Sequence, residues 1–237
     1  MNALNEWVQG IDFSEILEWL MFAVAALIAI SVHESSHALS AYWLGDDTAR
    51  RMGRISLNPL RHLDVAGFVL MVVAHFGWAK PVPVNMYRFK KPKSGMALTA
   101  AAGPISNVLL ALLFGAFYWA AFGLYLKQMK ATGIPEKNGL FYLFRFFEIC
   151  QILNAGLAVF NLIPISPLDG SKILAVFLPD RTYEQLMRYE RYGMLILILL
   201  LVFNVLDGPL IFLRDGLLDG IDAVTMPLAR LISGVSF

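Results

Sequence analysis

The chain has 237 residues, 58% of them hydrophobic and only 16% charged, with a formal net charge of +1. A soluble domain carries about 25% charged residues, and a near-neutral chain lacks the basic excess of a nucleic-acid binder. A soluble enzyme and a nucleic-acid partner are therefore both excluded, and the lone Cys150 excludes any disulfide within the chain.

The first eighteen residues hold Glu6, Asp12, Glu15 and Glu18 and no Lys or Arg, the reverse of the basic start of a secretory signal. A membrane-spanning helix needs about 20 apolar residues. Residues 19–44 provide one once Glu34 is set aside, and residues 94–126, uncharged between Lys93 and Lys127, provide the next. A third runs over 149–168. It extends backward through 138–144 past Arg145 and Glu148, whose i,i+3 spacing lets them pair. Residues 192–206 are shorter and gain an amphipathic lead-in from 183–191. The 65–79 segment suits a re-entrant helix, and 207–237, broken by Arg214, Asp215, Asp219 and Asp222, suits an interfacial helix or a last span.

Between the first two long helices, 52–58 sets Ile55 and Leu57 between polar neighbours, the period of a strand. Residues 78–85 alternate too, and Pro81 and Pro83 confine such a strand to a sheet edge. The expected fold is an all-α polytopic membrane protein of four to six transmembrane or re-entrant helices. A small membrane-associated β-hairpin or sheet is expected between the first core helices. Residues 1–237 read as one domain, with a core over about 18–180 and C-terminal helices over 182–237.

Orientation follows from Lys and Arg near the spans. Arg50, Arg51, Arg54, Arg61, Lys80, Arg88, Lys90, Lys91 and Lys93 gather between the first two long helices, and the N-terminal flank has no basic residue. This puts the N-terminus outside and the 46–93 region in the cytoplasm, although Lys127, Lys130 and Lys137 count the other way. The cluster from Arg88 to Lys93 also suits anionic lipid headgroups.

The chemistry lies near the end of the first span. His33 and His37 stand at i and i+4, on one helix face with Cβ atoms about 5–6 Å apart, and Glu34 sits one step round. This His-Glu-x-x-His arrangement lets two imidazoles share a zinc ion while the glutamate takes a proton from an attacking water. As structural groups alone, two histidines and an acid in an apolar run would each need a buried partner. A catalytic zinc site has three protein ligands and an open position. The third comes from Asn161-Leu-Ile-Pro-Ile-Ser-Pro-Leu-Asp-Gly170, whose prolines break regular structure at membrane depth and deliver Asp169. Taken alone, Asp169 would read as a helix cap. His62 and His75 lack a partner at ligand spacing.

His33-Glu34-Ser35-Ser36-His37 and Phe160 to Gly170 closely resemble the two motifs of the site-2 protease family of intramembrane zinc metalloproteases. Asn58 to Asp64 and Gly77 to Asn85 resemble its membrane-associated segments, so the likeness runs over about 18–180. It implies one zinc per chain on His33, His37 and Asp169, with Glu34 as general base and Asn161 holding substrate. Ala102-Gly-Pro-Ile-Ser-Asn107 resembles a further element and makes Asn107 a second substrate-binding candidate. The plainer reading of Asn107 and Asn154 is interhelical hydrogen bonding. Where the family has Gly, this chain has Ser171, and no PDZ or CBS domain is expected. The implied activity is cleavage of membrane-spanning proteins in or near the bilayer of the cell membrane, with the active site toward the cytoplasmic leaflet. A homo-oligomer is compatible with this. The alternatives are a metal-ion carrier, which has no use for a glutamate beside the metal, and an inactive scaffold, which would typically lack a ligand or the glutamate.

Overall fold

The computed structural model describes residues 13–67, 69, 79–135 and 137–234. Helix α1 (Phe13–Trp43) leads by a short α2 (Thr48–Arg51) into an irregular region with two 3-10 turns, Pro59–Arg61 and Met86–Arg88. Then come α3 (Pro92–Thr132), α4 (Gly139–Asn161), α5 (Asp169–Ala175), α6 (Asp180–Val202), α7 (Asp207–Thr225) and α8 (Pro227–Ser233). Three helices are long and apolar enough to cross a membrane: Ser14–Trp43, Pro92–Thr132 and Gly139–Asn161. Tyr192–Val202 and Asp207–Thr225, bent by 86°, add a fourth crossing if they act as one broken span. The chain is thus a multi-pass, helical membrane protein with three or four crossings. Most of 65–79, including His75, lies outside the described residues.

Local chemistry sets the helix ends. The Asn138 side chain accepts the Leu140 and Phe141 amides and so starts α4. Its far end falls at Asn161 because Pro164 cannot continue a helix. Gly133, at φ 71°, closes α3 in the left-handed conformation.

The core forms where α1, α3 and α4 meet, through Ala25, Phe114 and Cys150, and the aromatic rings of Tyr118, Phe122, Tyr125 and Phe144 fill the α3–α4 seam. Small residues let the C-terminal helices press onto this seam. A Cβ at Gly115 would lie 2.8 Å from Ile221 Cγ2, and one at Gly123 would lie 2.9 Å from Ala229 Cα. The Asp222 carboxylate is not left bare, because Trp119 Nε1–H and Gln151 Nε2–H both donate to its Oδ1, at 2.9 and 2.8 Å. Arg145 makes the expected pair with Glu148 and also reaches Glu18, at 3.3 Å.

The β-hairpin expected between the first core helices is absent from the described residues: 52–58 is turns and bends, and 79–85 is irregular. One main-chain bond, Lys80 N–H to the His62 carbonyl at 2.9 Å, and several side chains make the ties a neighbouring strand would have made. The Arg54 guanidinium donates to the Lys80 and Pro81 carbonyls, Glu34 accepts the Val82 amide at 3.0 Å, and Asp46 accepts the Asn85 amide at 2.6 Å. With two prolines removing donors, 79–85 is held from α1 and the turn after it. Burial pushes the Asp46 carboxyl up, but the Thr48 hydroxyl, the Asn85 and Thr48 amides and the Arg88 charge outweigh it and hold it below its ordinary 3.8. This tie therefore stabilises the fold above that pH and is lost as pH falls through the depressed value.

Candidate metal centre and catalytic cavity

One helical turn separates His33 from His37, and on α1 their Nε2 atoms come within 3.0 Å with the rings edge to face. Asp169 arrives from a different direction. After α4 ends, Leu162 to Leu168 runs in tight turns whose amides bond to nearby carbonyls, such as Leu168 N–H to Ile165 at 2.9 Å. This satisfies the irregular backbone from within the chain. Asp169 then opens α5, and no capping hydrogen bond forms there. Its Oδ2 instead stands 3.3 Å from His33 Nε2 and 3.2 Å from His37 Nε2. Two glycines permit the turn: a Cβ at Gly170 would lie 2.2 Å from the Leu162 carbonyl oxygen, and one at Gly193 of α6 would lie 2.1 Å from that of Ser166. Ser171 is buried, and its hydroxyl donates to the Leu168 carbonyl at 2.7 Å.

The outer face of each imidazole is fixed from α3. His37 Nδ1–H donates to the Thr99 carbonyl at 2.7 Å, and His33 Nδ1–H donates to Asn107 Oδ1 at 2.6 Å. The direction of the second bond is set two residues away. Asn107 Nδ2 donates to Asn154 Oδ1, and Asn154 Nδ2 donates to the Cys150 carbonyl, both at 2.8 Å. A carbonyl only accepts, so this relay leaves Asn107 Oδ1 as an acceptor and places a proton on His33 Nδ1. Both Nε2 atoms then face inward as lone pairs, beside Asp169 Oδ2, a buried atom with no hydrogen-bond donor. Three electron-pair donors within about 3 Å repel one another unless a cation lies among them. The donor set of two imidazoles and a carboxylate, with ring tautomers fixed from behind, fits zinc.

A cavity of about 360 Å³ opens on this cluster, lined by His33, Glu34, His37 and Asp169, by Asn161, and by the clamped segment at Pro81, Val82 and Val84. Asn161 is at the cavity wall, its amide donating to the Leu157 carbonyl at 3.0 Å. Asn107 is fully buried, does not line the cavity, and touches His33. His62, also fully buried, bonds through Nε2 to the Ser56 carbonyl at 2.7 Å and stands apart from the metal cluster.

Sequence reasoning missed three contributors. Thr99 acts through its main chain and leaves no side-chain signal. Arg54 reads as one more cytoplasmic basic residue. Gly103 is required because a Cβ there would lie 2.5 Å from atoms of both imidazoles, and only its place in Ala102-Gly-Pro-Ile-Ser-Asn107 hinted at a role.

A polytopic helical protein whose first span carries His-Glu-x-x-His, closed by an aspartate into a zinc-fitting cluster, is a membrane zinc metalloprotease. The family model for peptidase family M50 matches residues 21–204, and the chain belongs to that family. It is 37% identical over 211 residues to a Bacillus subtilis protein provisionally named zinc metalloprotease YwhC, covering 86% of this chain and 92% of that one. Proteins provisionally named zinc metalloprotease Rip2 are similar too. The one from Mycolicibacterium smegmatis is 26% identical over 84% of this chain and 70% of its own length. That from Mycobacterium tuberculosis H37Rv is 25% identical over 86% and 74%. No solved structure matches significantly.

Proposed function

We propose that this protease cuts membrane-spanning proteins within or beside the bilayer, with His33, His37 and Asp169 holding zinc and Glu34 acting as general base. The observation that carries this reading is the meeting of three potential metal-ligand atoms, from His33, His37 and Asp169, with a glutamate in one cavity at the end of a membrane helix. Zinc held there supplies Lewis acidity, which polarises a carbonyl and makes water acidic enough to ionise near neutral pH. Glu34 Oε2 is anchored by the Val82 amide, which aims the carboxylate along the cavity wall. Its Oε1 takes the proton of the attacking water and returns it to the departing amine, so the peptide bond is replaced by a carboxylic acid and an amine. Asn161, also in the lining, orients the scissile segment. A helical substrate has its carbonyls hydrogen-bonded internally, so the segment unwinds before it enters. Helix-weakening residues near the cut favour this.

The Asn relay supports a positioning role for Asn107, in place of substrate contact. Asn107→Leu keeps the volume and removes the acceptor from His33. Zinc affinity, read by chelator competition, is expected to fall about 10–100-fold, the usual loss when the partner of a ligating histidine is removed. Unchanged affinity with a raised KM would return Asn107 to the substrate.

We also propose that the N-terminus lies outside and the site faces the cytoplasmic leaflet, on the strength of the basic 46–93 region. A cysteine at Lys91 is expected to label from the cytoplasm and one at Glu6 from outside. The opposite pattern inverts the orientation.

A further inference from the structure

Lys172 lines the same cavity, one turn along α5 from Asp169. Among the described residues it makes no hydrogen bond or ion pair, although two carboxylates share its cavity. Both are engaged elsewhere, Asp169 with the imidazoles and Glu34 with the Val82 amide. Two carboxylates balance one zinc ion, so the loaded cavity keeps the lysine's positive charge. Beyond the two carboxylates the cavity lining offers no anion to neutralise it: Val84, Met86 and Met96 are apolar, and Thr99 and Asn161 are uncharged. A half-buried cation left unpaired at a partly enclosed cavity is costly, and convergent polar groups in such a cavity are candidates to orient a ligand. The helical step sets Lys172 Cβ about 5–6 Å from that of Asp169, which suits a residue beside the cleaved bond better than the reacting carbonyl.

We propose that Lys172 is a specificity residue whose ammonium receives the carboxylate of an acidic side chain flanking the scissile bond. It rests on the proteolytic reading of the cavity. The probe is a set of helix-weakened transmembrane peptides in which one Asp, or one Asn, is moved through the positions around the cut. Binding is measured on zinc-loaded, full-length Glu34→Gln protein, and cleavage on the otherwise wild-type enzyme.

At one position the Asp peptide is expected to bind at least about tenfold more tightly than its Asn twin, as charge-assisted hydrogen bonds do. Lys172→Gln abolishes that ratio, Lys172→Arg keeps it and Lys172→Glu reverses it, all with normal zinc content. Cleavage follows as a change in KM. No position with an acidic preference, or a preference that survives Lys172→Gln, overturns the inference. So does a uniform loss of kcat on every peptide, which would place the ammonium at the reacting carbonyl. A preference seen in binding while the wild type cuts nothing would leave a recognition site and overturn the proteolytic reading alone.

Discussion

Glu34→Gln is expected to hold zinc and lose the reaction. Gln keeps the shape of Glu34, and its Oε1 can still accept the Val82 amide, so neither the cavity wall nor the three ligand atoms need move. On the proposed mechanism, what disappears is the group that takes the proton. Cleavage of a helix-weakened transmembrane peptide should fall by at least the ~10²–10⁴-fold that a positioned acid–base group contributes. Zinc, measured by atomic absorption, should stay near one per chain. Asp169→Ala behaves differently: it takes away a ligand, so metal and activity go together. A carrier would transport metal almost normally as Glu34→Gln and would never cut a peptide. Full cleavage by Glu34→Gln, or a zinc-replete and active Asp169→Ala protein, would refute these roles.

Gly103→Ala is expected to be nearly as damaging, through a single methyl group. That carbon would sit 2.5 Å from His33 Cε1, His37 Cε1 and His37 Nε2, far inside contact distance. The imidazoles cannot swing away cheaply, because their Nδ1 atoms are tied to Asn107 and Thr99 on the same helix. Relief comes only by parting α1 from α3, and overpacking of this kind costs about 1–3 kcal/mol. Zinc affinity should drop by ~100-fold or more, at or beyond the top of the range for disturbed support of a ligand. Gly156→Ala on α4 is the control. Its Cβ would meet nothing within 4 Å, and alanine favours a helix interior, so zinc binding should not change. Equal zinc affinity in the two variants would show that the α1–α3 contact does not set the metal geometry.

The sequence carried the chemistry further than the architecture. Histidines at i and i+4 with an adjacent glutamate, and an aspartate after two prolines, are side-chain signals, and the folded chain brings the two histidines and the aspartate together. Long uncharged runs located the three main helices, because hydrocarbon tolerates nothing else over that length. The 78–85 segment misled because a period-2 pattern reports an extended chain and is silent about its neighbour. For the described part, 79–85, the neighbours are the side chains of Arg54, Glu34 and Asp46 and the His62 carbonyl. Asn107 misled in the opposite sense: its motif marked it as functional, but only the relay through Asn154 to the Cys150 carbonyl shows which atom it presents, and to what.

The length of α3 bears on how water reaches a reaction that consumes it. At 1.5 Å per residue its 41 residues extend about 61 Å, twice the hydrocarbon thickness of about 30 Å. The part beyond Asn107 measures about 37 Å and can cross by itself. On α1, the stretch from Phe13 to His33 also measures about 30 Å. Both helices therefore put one bilayer thickness between the metal cluster and the far side. If the N-terminus lies outside, as proposed above, the cavity would open near the cytoplasmic boundary, and hydration would need no channel through the lipid. On that reading the substrate, not the water, would have the long way to travel: a membrane-spanning helix would have to shift or unwind until the bond to be cut reached the wet edge of the membrane.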